Sequence, residues 1–116
     1  MVNRGALLLR YKEPAVRWIN EADPYPTGRI ITIEEVNAER TVYLISDTAG
    51  DDDRSLERWL KKIFAMLLES ELEGWYTDPT LWPQERSYKL FRQWFTPECH
   101  TLLFDVVGGM IYDDEA

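Results

Sequence analysis

Cysteine is almost missing: 116 residues contain one, Cys99. A lone cysteine excludes an intramolecular disulfide, and secreted domains of this size more often carry several. The single histidine, His100, is too little for a histidine-rich metal site, because zinc takes three or four Cys, His or carboxylate ligands. Glycine is sparse, and of the six only Gly108 and Gly109 adjoin. Neither G-x-G-x-x-G nor a P-loop occurs, and no serine sits in a nucleophile-elbow context. Long apolar runs are absent. Ala6–Leu9 stops at Arg10, and Ile63–Leu68 lies between Lys62 and Glu69. The first is too short for a signal peptide's apolar region, and both fall far short of a bilayer. The chain therefore reads as cytosolic. Positive charge is short as well, with 13 basic against 21 acidic residues, net charge −8 and pI near 4.6. A binder of phosphate backbones or anionic membranes wants the opposite sign, so neither nucleic acid nor membrane is expected as a partner.

What is present builds a core. The apolar fraction is 45%, with five Trp, six Tyr and four Phe, residues that disordered chains lack. One domain over residues 1–116 is expected, burying roughly 65% of its unfolded surface, with an acidic tail at 113–116 that frays.

Periodicity and punctuation set out the elements. Ala6–Leu9 with Arg10 and Tyr11 reads as a strand, and Pro14 opens a helix to about Asn20. Asp23 to Gly28 is a loop. Thr32 with Glu35 matches a capping box for a helix near Ile33–Glu39, in competition with an extended Arg29–Ile33. Thr41–Ile45, apolar on both faces, reads as an interior strand. Ser55–Leu72 is the strongest helix, its apolar stripe about 160° wide, or about 240° with Leu68 and Leu72. So wide a stripe implies packing on two sides, with Trp59, Ile63, Phe64 and Leu67 nearly inaccessible. Pro83 opens a helix to about Phe95. His100–Val107 reads as a strand that turns at Gly108-Gly109 into Met110–Tyr112. Together these predict an α+β fold, a small mixed or antiparallel sheet of three to four strands with two large helices packed against it.

Candidate chemistry is thin. Adjacent Cys99 and His100 on extended chain point to opposite faces, which denies a thiolate–imidazole pair. Asp47 with Asp51, Asp52 and Asp53 could hold magnesium at a strand end, or simply cap the following helix. Asp105, within Leu102–Val107, is either a buried carboxylate or an edge charge paired with an arginine. Glu69, Glu71 and Glu73 crowd the C-terminal end of the long helix, against the macrodipole, with Arg86, Lys89 and Arg92 as the compensation at hand. The connector from Gly74 to Pro83 is unusually aromatic. Trp75, Tyr76 and Trp82, with Asp78 and Arg86 as a polar rim, form the candidate binding residues. The alternative is a lid folded back on the core.

Trp75-Tyr76-Thr77-Asp78, Trp82-Pro83 and Trp94-Phe95, with Arg86, Phe91 and His100, resemble the C-terminal half of a family of short, uncharacterised bacterial proteins over roughly residues 41–107. The resemblance implies a small bacterial protein and carries no activity. With no catalytic set and no cofactor expected, the leading reading is an acidic cytoplasmic module that binds a protein partner or itself as a homodimer. An antitoxin-like inhibitor of a basic protein is one version, by analogy of charge alone. The alternatives are a small-ligand binder with an aromatic pocket and a divalent-metal-dependent enzyme.

Overall fold

A computed structural model describes residues 1–113; the expected fraying of the acidic tail falls mostly outside them. The chain runs β1 (Arg4–Tyr11), α1 (Glu13–Ala22), α2 (Ile33–Ala38), β2 (Val42–Ser46), α3 (Asp53–Trp75), a 3-10 turn (Pro79–Leu81), α4 (Tyr88–Trp94) and β3 (Phe95–His100). The three strands form one antiparallel sheet in the order β2-β1-β3. The fold is α+β, as expected.

The centre of the sheet is β1, whereas the sequence reading gave that place to residues 41–45. Strand β2 lies at an edge, and its Val42 and Leu44 are 53% and 55% exposed on the open face. Apolar residues on both faces of a strand signal double burial only when both faces are covered. Here Gly5, Leu7, Leu9 and Tyr11 face the core with Tyr43, Ile45, Phe95 and Cys99, while Ala6, Leu8 and Arg10 face away.

Helix α3 begins under an Asp52 cap, whose carboxylate accepts the Ser55 N–H at 2.7 Å. Its two-sided packing is real but rotated from the expected stripe. Leu60, Leu67, Leu68 and Leu72 join Leu7, Leu9 and Ile45 in the core. Phe64 instead meets α4 through Tyr88 and Phe91, at ring separations of 5.4 and 6.1 Å. Trp59, Ile63 and Phe64 are only half-buried.

The other expected large helix is short. It starts at Tyr88, not Pro83, because Ser87 caps it by accepting the Leu90 N–H at 3.1 Å. Ser87→Ala should therefore lower the unfolding free energy by about 1 kcal/mol, read by urea denaturation; an unchanged midpoint would show the cap to be idle. Strand β3 follows without a loop, five residues earlier than the sequence reading placed it. Pro97 can sit inside it because β3 is an edge strand, where a missing N–H costs no ladder bond.

Past His100 the expected strand does not form: pairing ends at Ala6 opposite His100, although Gly5 and Arg4 of β1 would stand opposite residues 101 and 102 in the same register. Residues 101–113 hold no regular structure. One bond, Val2 N–H to the Leu103 carbonyl at 2.7 Å, ties down their root. Gly108 and Gly109 both take positive φ, 79° and 82°, as a tight reversal requires, but no ladder flanks them.

Candidate functional site

The aromatic connector is folded back on its own domain. Trp75 Nε1 donates to the Tyr11 hydroxyl at 3.0 Å, and Trp82 Nε1 donates to the Tyr76 carbonyl at 2.7 Å. The Tyr76 hydroxyl donates to the Ile19 carbonyl, and Trp18 Nε1 donates to the Leu81 carbonyl at 2.9 Å. All four rings are half-buried. Asp78 serves its own turn, accepting from the Thr80 N–H and hydroxyl at 3.0 and 2.8 Å, and those bonds hold its carboxyl below the usual range. The Arg86 guanidinium lies 5.8 Å from the Trp82 ring centroid and donates to the Pro83 carbonyl at 2.9 Å.

The three connector aromatics line three different hollows. Trp75 borders a cavity of about 200 Å³ with Tyr11, Arg40 and Glu71. Trp82 joins Trp18, Trp94, Pro14, Arg17 and Glu21 around an open cleft of about 410 Å³. Tyr76 borders a third, of about 110 Å³, with Asp23 and Arg29. A single pocket walled by all three rings is not formed.

The densest polar constellation joins residues that sequence reasoning left apart. Tyr11 donates its hydroxyl to Glu71 Oε1 at 2.6 Å, and Tyr43 donates to Glu71 Oε2. Burial, then the Glu71 carboxylate beside it, pushes the Tyr11 phenol far above its ordinary range. Burial and the bond to Glu71 do the same for Tyr43. Both phenols stay protonated at neutral pH, so they act as donors and not as bases or nucleophiles. The arrangement latches the C-terminal third of α3 to β1 and β2. It also accounts for one of the crowded glutamates at that end. The basic side of α4 is engaged elsewhere, with Arg92 on Glu57 at 2.5 Å.

Two asparagines act as backbone clamps. Asn37 accepts from the Tyr11 N–H at 2.8 Å and donates to the Tyr11 carbonyl at 3.1 Å, standing in for a strand where β2 has ended. Asn20 clamps Ile31 likewise, at 2.9 Å both ways, so 29–33 is not a strand. No linear signal marks either clamp, since each joins elements distant in the chain.

The remaining candidates resolve simply. Among the described residues no group of three His, Cys, Asp or Glu side chains converges as a metal would need, and Asp52 is the α3 cap. Cys99 faces inward opposite Leu7 and His100 outward opposite Ala6, so they cannot meet. Burial raises the Cys99 thiol. A Cβ at Gly50 would stand 2.7 Å from its Sγ, so a larger residue there would have to displace the Cys99 side chain. Asp105 is exposed, contrary to a buried carboxylate or an arginine pair, and accepts from the Val107 and Gly108 N–H groups at 2.9 and 3.2 Å.

One surface stands out. Leu102, Phe104, Val106, Val107, Met110, Ile111 and Tyr112 are all 65–93% exposed on the 101–113 arm. Val42 and Leu44 add an apolar patch on the open sheet face. No family model, curated protein or solved structure matches this chain.

Proposed function

We propose that this chain is a small acidic protein-interaction module, cytoplasmic and without catalytic activity, that binds through the 101–113 arm. One observation carries the reading. Seven large apolar side chains stand in water on a single thirteen-residue segment, whereas the largest exposed patches of monomers are usually modest and often functional. The aromatic connector then has a structural part, since the polar tips of its rings bond within their own domain.

A photo-crosslinking amino acid at Phe104 of the full chain tests this in living cells. A discrete protein adduct is expected, absent when the same probe replaces Met66, an exposed residue on α3. Equal background at both positions would end the reading. The small-ligand alternative retains one supporting observation, the cleft in which the Trp18 and Trp94 rings lie 5.7 Å apart beside Trp82.

A further inference from the structure

We infer that the arm binds a second copy of this chain: residues 101–113 of each protomer lie across the open sheet face of the other, in a two-fold dimer. The inference rests on the arm being the binding element and adds its partner.

Charge is the first support. The open face of the sheet carries Arg4 and Arg10 against one acid, Glu98, which also pairs with the largely buried Arg40 beside the sheet. Arg10 Nε lies 2.6 Å from Glu98 Oε1, and Arg40 Nη1 lies 3.3 Å from Oε2, so two guanidiniums share one carboxylate. On a chain of net charge −8 this face is a cationic island. The arm, residues 101–113, has Asp105 and Asp113 and no basic residue. Acidic arm and basic face are complementary, with Leu8, Val42 and Leu44 between the charges as an apolar floor.

Area is the second. Phe104 and Tyr112 alone present up to about 300 Å² at the lower end of the aromatic range, and five exposed aliphatic side chains add to it. A stable complex buries roughly 800 Å² per partner. Exchange covers this surface twice, once for each protomer.

Reach is the third, and it decides against the arm covering its own sheet. Val2 holds Leu103, so the arm leaves in line with β3 and away from the Leu8 and Val42 row. Its positive-φ glycines come at 108 and 109. The extended shape agrees: the radius of gyration is 15.8 Å, where a compact chain of this length has about 13 Å.

Two full-length variants test the exchange. Phe104→Ser/Val106→Lys/Ile111→Ser alters only exposed arm residues, and Leu44→Glu blocks the face at a half-exposed position. Wild type should sediment as a dimer at micromolar concentration, more weakly as salt rises. Each variant should dissociate at least thirtyfold more readily, with an unchanged far-ultraviolet circular dichroism spectrum. Mixed together, the two should form a heterodimer, because one intact arm meets one intact face. Val42→Glu replaces Leu44→Glu should the latter lose its helical signal. A wild type monomeric at 100 μM would overturn the exchange, and so would a dimer that survives the arm variant. If the Phe104 probe then captures a different protein, the interaction reading stands without self-exchange. If it captures nothing, both fall.

Discussion

Phe91→Ala is expected to lower the unfolding free energy by about 3–5 kcal/mol, a large share of the 5–15 kcal/mol that holds a typical domain together. Phe91 is fully buried, and it is the hinge of the aromatic packing between the helices and the sheet. Its ring lies 6.1 Å from Phe64 of α3, 6.1 Å from Tyr88 and 5.7 Å from Phe95, which in turn meets Tyr11 of β1 edge-on at 4.8 Å. Removing it leaves a cavity bordered by α3, α4 and β3, and those elements cannot all collapse into the gap. Ile63→Ala, at a half-buried site, should cost clearly less. Urea denaturation of both variants beside wild type gives the comparison. A loss below 1 kcal/mol at Phe91, or a larger one at Ile63, would contradict the packing described.

Alkaline instability is the second large effect. Tyr11 and Tyr43 have phenols raised well above 10 in the folded chain, first by burial and then by Glu71. In the unfolded chain they ionise near 10. Above that pH the native state binds more protons than the unfolded one, so stability falls as pH rises. The contribution is whole below pH 10 and is lost progressively above it. Tyr11, nearly inaccessible, should cost about 1.4 kcal/mol per pH unit above 10, and half-exposed Tyr43 somewhat less. Urea midpoints at pH 8, 10 and 11 should drop steeply over the last step. Tyr11→Phe should flatten that drop while removing the bond to Glu71. Absorbance at 295 nm should show at least two of the six tyrosines, Tyr11 and Tyr43, failing to ionise until the chain unfolds. A folded chain in which all six titrate together near pH 10 would dismiss the latch.

Local signals in this sequence proved readable and global ones did not. The Thr32 cap and the helix it starts follow from residues three apart, as do the first strand and the core of the long helix. The α+β class follows from their alternation. The rank of the strands could not be read the same way. Thr41–Ile45 is more β-like than Ala6–Leu9, yet edge or centre depends on which partners arrive from elsewhere in the chain. Pro97 misled for a related reason: a proline looks like a boundary until the strand is known to lie at an edge. The apolar run from Leu102 to Val107 resembles a buried strand in every local respect, and its exposure depends on sheet pairing that ends at His100. At the candidate site, Trp75, Tyr76 and Trp82 were visible because aromatics in a loop are conspicuous. Glu71 was visible only as a misplaced charge, because the phenols it serves lie sixty and twenty-eight residues away.

The strand order also governs when the sheet can come into being. Its centre is the first element of the chain, and its far neighbour is the last, so that Arg10 meets Glu98 across 88 residues. Loop-closure entropy must be met before that pairing returns anything, which slows folding relative to a helical bundle of the same size. During synthesis β1 leaves the ribosome as an apolar strand with no partner on either side. It acquires β2 after a modest delay and β3 only when nearly every other element has been made. A translational pause or a damaged α4 would therefore leave β1 with one bare edge, the state in which an apolar strand is most apt to pair with a neighbouring chain.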